Sequence, residues 1–191
     1  MSRRAISRSH AAAVLSAAAA VFLSATAAAA QSGPPTPADT VVAACSSADH
    51  RAFDFWIGEW DVTNPAGAQA GTSSITRVLG GCALHEDWRG ASGGRGRSYS
   101  SYDTVTRQWH QHWVDIGGNL LRLAGNLVDG AMVLEGESTT PNGRAVNRVT
   151  WSRESDGRVR QHWQISTDGG DTWTTSFDGY YRRKSDPPDG G

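Results

Sequence analysis

The chain has 191 residues, with 18 basic and 19 acidic side chains and eight tryptophans. Its first thirty residues read as an export signal. Arg3, Arg4 and Arg8 precede a stretch from Ala11 to Ala30 built almost wholly of Ala, Val, Leu, Phe and Ser, and Ala28-Ala29-Ala30 offers the small residues a signal peptidase needs. Cleavage before Gln31 leaves 15 basic residues against 19 acidic ones, a net charge of about −4. That balance excludes a general nucleic-acid binder, whose phosphate contacts need a basic surface. Beyond Ala30 no apolar run approaches the ~20 residues of a membrane helix, so no membrane insertion is expected after cleavage. The expected location is periplasmic or secreted.

From Gln31 to Ala44 the chain is rich in Pro, Ala, Ser and Thr and has no periodicity. Residues 185–191 are mostly Pro, Gly and Asp. Both read as disordered, the first as a linker and the second as a tail, leaving a domain over residues 45–184. Its two cysteines, Cys45 and Cys82, would lie in an oxidising compartment, which predicts one disulfide pinning the N-terminal segment to the rest. The helical-looking piece is Ser47 to Ile57, where Asp49 is a candidate cap and Phe53, Trp56 and Ile57 fall at helical spacing.

Everything later alternates with period two. Strands are expected over Glu59–Thr63, Thr72–Leu79, Ala83–Arg89, Arg97–Tyr102, Gln108–Ile116, Leu120–Leu127, Ala131–Ser138, Arg144–Arg153, Arg158–Ser166 and Trp173–Arg182. Between them stand turn signals such as Gly117-Gly118-Asn119, Asp129-Gly130, Asn142-Gly143 and Asp156-Gly157. Short turns cannot serve parallel crossovers, which need a dozen or more residues, so the sheet is antiparallel and meandering. A meander of about ten strands removes its edges most simply by closing on itself. The predicted fold is therefore all-β, an antiparallel up-and-down barrel with a short N-terminal helix plugging one end; a two-sheet sandwich is the alternative. Such a barrel is wide enough for an internal cavity.

Strand parity nominates the lining. Leu84, Glu86 and Trp88 share one face, as do Trp109, Gln111, Trp113 and Asp115, then Val159, Gln161, Trp163 and Ile165, and on the last strand Trp173, Thr175, Phe177 and Tyr181. These apolar-rich faces should point inward and carry Glu86, Gln111, Asp115 and Gln161 with them. Aromatic walls with a few convergent polar groups describe a small-ligand site. The candidate ligand-binding residues are Trp60, Glu86, Trp88, Gln111, Trp113, Asp115, Gln161 and Trp163, and the expected partner is a small apolar or aromatic molecule. Two other readings stay open. One is a cavity enzyme in which Glu86 and Asp115 converge for acid/base chemistry; the other is a structural envelope protein with a filled barrel.

Other motifs carry less. His110 and His112 project to one side of their strand, with His85 and His162 as possible co-ligands for a metal, but that face is the expected exterior. Lys184 is the single lysine, which excludes a P-loop or Schiff-base lysine. The Gly90–Gly96 run reads as a rim loop, with Arg95 or Arg97 available to an anionic ligand. Ser166-Thr167-Asp168-Gly169-Gly170-Asp171-Thr172-Trp173 fits the Ser-x-Asp-x-Gly-x-Thr-Trp pattern of the Asp box. A single copy predicts a stiff hairpin between the last two strands, with no glycosidase activity implied.

The block Phe53-Asp54-Phe55-Trp56-Ile57-Gly58-Glu59-Trp60-Asp61-Val62, together with Gly81-Cys82, Glu86-x-Trp88, Trp109-x-Gln111-x-Trp113-Val114-Asp115 and Arg160-Gln161-x-Trp163, resembles a family of small exported bacterial proteins. They are grouped as the domain of unknown function numbered 1579 and are similar to lipocalin-like or calycin-type barrels. The resemblance spans about Cys45 to Arg183. It implies a barrel and lends no catalytic residue. The Gly58-x-Trp60 entry also resembles that of lipocalins, which implies that Trp60 closes one barrel end. Barrels of the nitrobindin type hold haem through a histidine near the mouth; no histidine here falls on an assigned apolar face, so no cofactor is expected.

Overall fold

The computed structural model describes residues 45–141 and 143–184. The expected signal over 1–30, the linker over 31–44, the tail over 185–191 and the turn residue Asn142 lie outside them. Period-two alternation becomes ten strands: β1 (Gly58–Thr63), β2 (Gln69–Val78), β3 (Ala83–Gly90), β4 (Arg95–Asp103), β5 (Gln108–Asp115), β6 (Leu120–Val128), β7 (Ala131–Thr140), β8 (Gly143–Arg153), β9 (Val159–Ser166) and β10 (Thr174–Arg183). Each pairs antiparallel with its neighbours in sequence, and β1 pairs with β10 in the register Trp60↔Arg183 and Val62↔Tyr181. The ring is thus closed. Closure leaves no edge strand, which disposes of the sandwich and gives a lipocalin-like up-and-down barrel. Among the described residues no helix is long and apolar enough to cross a membrane.

The expected single helical piece divides in two. A one-turn helix α1 (Ala48–Arg51) and a 3-10 turn (Asp54–Trp56) are separated at Phe53, which has φ −100° and ψ 5°. The physical reason is packing: breaking the helix there lets the Phe53 and Trp56 rings stack at 5.0 Å while both are fully buried. Ser47, not Asp49, is the cap, its hydroxyl accepting from the His50 amide. Asp49 fastens α1 to the barrel instead. Its carbonyl accepts from Trp109 Nε1 at 3.0 Å and its carboxylate from the Tyr102 hydroxyl at 3.2 Å.

Around that plug one end of the barrel is solid. Phe53 meets Trp109 and Trp151 edge-on at 5.6 and 5.0 Å, and Trp56 lies 5.3 Å from Trp151. Trp60 is buried among them, its indole donating to the Trp56 carbonyl at 2.9 Å while the Arg183 guanidinium covers its ring at 4.6 Å. Trp60 therefore closes this end, as the lipocalin resemblance implied. The Cys45–Cys82 disulfide, with Cα atoms 5.1 Å apart, ties the start of the plug to the β2–β3 connection. Asp54 and Arg77 add an ion pair from plug to barrel.

The Asp-box hairpin is stiff, as expected. Asp168 accepts from the Thr172 amide at 2.9 Å and from the Thr172 hydroxyl at 2.5 Å, and Ser166 Oγ accepts from the Gly170 amide at 2.8 Å. The Ser166 hydroxyl, which donates to Asp168 Oδ1 at 2.6 Å, and after it the Thr172 hydroxyl and amide hold the Asp168 carboxyl far below the usual carboxylate range. Trp173, however, does not point inward. A bulge between Thr175 and Phe177 breaks the parity of β10, and Trp173 lies outside the barrel under the Arg148 guanidinium, 4.0 Å from its ring centre. One inserted residue is enough to exchange faces, because the side-chain period is two.

Candidate functional site

Above the plug the barrel interior opens into a cavity of about 200 Å³. Trp88, Trp113 and Trp163 stand near the C-terminal ends of β3, β5 and β9 and are only half-buried, so this end faces solvent. Phe177, Leu121 and Val149 complete the apolar wall, and Tyr181 forms the floor. Tyr181 also touches the plug, with ring centres 6.3 Å from Trp56 and 6.2 Å from Trp60, so one side chain separates the packed half from the open half.

Glycines make room for the large rings. A Cβ on Gly96 would stand 2.1 Å from the Trp113 ring, and one on Gly71 would stand 2.8 Å from Trp88 and 2.4 Å from a backbone carbonyl. Both positions need a residue without a side chain if the indoles are to lie flat against β2 and β4.

Glu86, Gln111, Gln161, Ser176 and Tyr181 bring polar groups to the same space. Glu86 is 4 % exposed; its Oε1 accepts from the Ser73 hydroxyl at 3.1 Å and its Oε2 from the Ser98 hydroxyl at 2.9 Å. Gln111 Nε2 donates to Ser98 Oγ at 3.4 Å and to Ser100 Oγ at 3.2 Å. Gln161 accepts from the Tyr181 hydroxyl, and Trp163 Nε1 donates to Asn147 Oδ1 at 3.0 Å. Burial pushes the Glu86 carboxyl from its ordinary 4.5 up to about 7, the two serine donors opposing that rise only in part. Burial, with the Glu86 carboxylate nearby, likewise lifts the Tyr181 phenol well above its usual value.

Six of the eight nominated residues, Glu86, Trp88, Gln111, Trp113, Gln161 and Trp163, therefore meet around one cavity. Two do not. Trp60 lies beneath it, beyond Tyr181. Asp115 sits at the strand end, where its Oδ1 accepts from the Gly117 and Asn119 amides at 2.8 and 3.0 Å and its Oδ2 from Asn119 Nδ2 at 2.9 Å. The Asn119 contacts lead in holding its pKa below the ordinary value. Strand parity did not foresee the turn that claims the carboxylate, and Asp115 borders an outer groove with Asp87 and Arg97, away from the cavity. The pairing of Glu86 with Asp115 is thereby corrected, and two-carboxylate chemistry loses its second member.

Ser73 and Ser98 were missed as site residues, while Phe177 and Tyr181, placed inward by parity, were not nominated as ligand-binding. The signal for Ser98 and Ser100 was available: small residues alternate with Arg97 and Tyr99, which marks an inward face with space beside it. Ser73 gives no comparable signal, since β2 is small and polar on both faces. Arg95 and Arg97 are not ligand-facing. Arg97 pairs with Asp87 at 3.2 Å outside the barrel, and Arg95 flanks the same outer groove. His110 also faces out, 3.2 Å from Thr106 and 4.0 Å from Asp103. Among the described residues no three His, Cys, Asp or Glu side chains converge as metal ligands. Neither a protein-family model nor a curated protein matches the chain.

Proposed function

We propose that this is an exported, periplasmic or secreted barrel that binds a small, largely apolar or aromatic molecule in the cavity beneath Trp88, Trp113 and Trp163. The observation that carries the reading is the cavity of about 200 Å³ walled by those indoles in a barrel whose other end is packed solid. Large apolar side chains held half open around a concavity mark ligand sites more often than structural cores. A cavity of roughly 150 Å³ suffices for a benzene ring, so the space here suits one substituted ring or a molecule of similar bulk. A barrel filled throughout, as a purely structural envelope protein would have, fits the plug half only. The Phe53–Val62 block supports placing the chain with the exported bacterial proteins it resembles, and Arg3, Arg4, Arg8 and the Ala-rich run support export itself.

Titrating the mature protein with a panel of one-ring compounds while following tryptophan emission tests the binding. The expected result is saturable quenching that Trp163→Ala weakens at least tenfold. A flat response across the panel overturns the reading. N-terminal sequencing of the protein made in a Gram-negative host tests export, with Gln31 expected as the first residue of a periplasmic product and an intact Met1 in the cytosol counting against it.

A further inference from the structure

Among the described residues Glu86 is the one formally charged side chain that lines the cavity. It takes part in none of the ion pairs among the described residues, although it is almost completely buried. A buried carboxylate is ordinarily paired, because desolvation of the charge costs far more than two neutral hydrogen bonds return. Its neighbours nonetheless prepare it as an acceptor. Gln111 Nε2 donates to Ser98 Oγ, which turns the Ser98 proton onto Glu86 Oε2, while Ser73 donates to Oε1. A carboxylate has about four lone-pair sites, so roughly two remain for a donor arriving from the cavity.

The walls present the complementary feature. Trp88, Trp113, Trp163, Phe177 and Tyr181 surround the same space, with Trp88 edge-on to Phe177 at 5.7 Å and tilted to Tyr181 at 6.4 Å. The faces of aromatic rings carry negative potential and attract cations, most strongly once water is removed. Among the described residues no Arg, Lys or His lines the cavity, so a carboxylate or phosphate entering it would be repelled by Glu86 with no countercharge to offset it.

From this we infer that the ligand is a small organic cation, an ammonium or methylated ammonium on an apolar or aromatic body, seated with its charge toward Glu86 and its body among the indoles. The inference rests on the proposed ligand-binding role of the cavity and specifies the ligand's charge. The raised Glu86 pKa of about 7 agrees with it: a carboxylate buried without a countercharge holds its proton, and a bound cation would release it. Tyr181 from β10 and Asp87, next to Glu86 on β3, are the other titratable groups acting on this pair; β2, β4 and β5 present only Ser73, Ser98 and Gln111.

Calorimetry with phenyltrimethylammonium and its uncharged carbon isostere, tert-butylbenzene, separates charge from shape. At pH 8 the cation is expected to bind at least tenfold more tightly, and Glu86→Gln should erase that preference. In the wild-type protein, where folding of the variant is not in question, cation affinity should fall about tenfold between pH 8 and pH 6 as Glu86 takes up its proton. Affinity for tert-butylbenzene should not fall. Equal or tighter binding of the neutral isostere at pH 8 overturns the cation and leaves the ligand-binding cavity standing. Binding of neither probe at millimolar concentration counts against both.

Discussion

The two halves of this barrel's interior are built from the same residue type and behave differently. At the plug end Trp56, Trp60, Trp109 and Trp151 are buried to 2 % exposure or less, and Trp56, Trp109 and Trp151 pack on Phe53 at ring separations of 5.0, 5.6 and 5.0 Å. At the mouth Trp88, Trp113 and Trp163 are half-buried and flank a cavity of about 200 Å³. What differs is the partner on the interior side. The plug supplies Phe53 and Trp56 from α1 and its following turn, filling the space a barrel of this width would leave. The mouth has no such segment among the described residues. An indole's role here thus follows from whether something sits opposite it.

The largest test of that contrast is truncation at each end. Trp151→Ala should cost about 3–5 kcal/mol in urea unfolding, because it opens a void in a region that cannot collapse. Trp163→Ala, already facing space, should cost less than about 2 kcal/mol. Equal losses would mean that the ends are equally packed and that the contrast fails. Reducing the Cys45–Cys82 disulfide comes next, with a loss of roughly 3–4 kcal/mol expected from the 37-residue separation it spans. Near-ultraviolet circular dichroism should weaken when α1 loosens, while ligand quenching at the mouth persists.

Glu86 sharpens the contrast from the polar side. Its pKa is 4.5 in the unfolded chain and about 7 when folded, so the native state holds the proton more tightly between those values. The contribution of Glu86 to stability is then most favourable below about pH 4.5 and falls as pH rises to 7, beyond which its burial penalty is fully present. Glu86→Gln should therefore stabilise the protein by an amount on the order of 3 kcal/mol at pH 8 and by almost nothing at pH 4.5, read from thermal melts at both. A stabilisation independent of pH would show that Glu86 is not the group titrating.

The smallest effect compares indoles within the plug. Trp109 Nε1 donates to the Asp49 carbonyl, whereas the Trp56 and Trp151 indole N–H groups are buried and unpartnered. Trp109→Phe deletes a hydrogen bond to the Asp49 carbonyl and leaves that oxygen only the longer bond from the Ala52 amide at 3.3 Å, whereas Trp151→Phe removes an unpartnered N–H. The first should cost about 1 kcal/mol more than the second by chemical denaturation. The reverse order would mean that the Trp151 N–H is satisfied in solution by a buried water.

Much of the architecture was legible in the sequence. Ten period-two segments joined by Gly, Asn and Asp turns leave an antiparallel meander as the economical topology, and parity alone placed Leu84, Glu86, Gln111 and Val159 inward, where they are. The Asp-box spacing likewise predicted its own hydrogen bonds, since its donors and acceptors lie within a few residues of one another. Errors arose where a single residue changed the count or a side chain found a closer partner. The β10 bulge moved Trp173 outside, and the turn after β5 took the Asp115 carboxylate.

Wherever no bulge interrupts a strand, local periodicity by itself determined which residues face the interior, because strand geometry is set within two or three residues of the chain. What stands opposite each of them was decided only by the tertiary structure. Closure of β1 on β10 brings Tyr181 to the cavity floor, and the broken helix carries Phe53 and Trp56 into one end and not the other. Those contacts join residues as far apart as Phe53 and Trp151, so no window of the sequence contains them. The solitude of Glu86 is of the same kind: a missing counter-charge is a property of every strand around it.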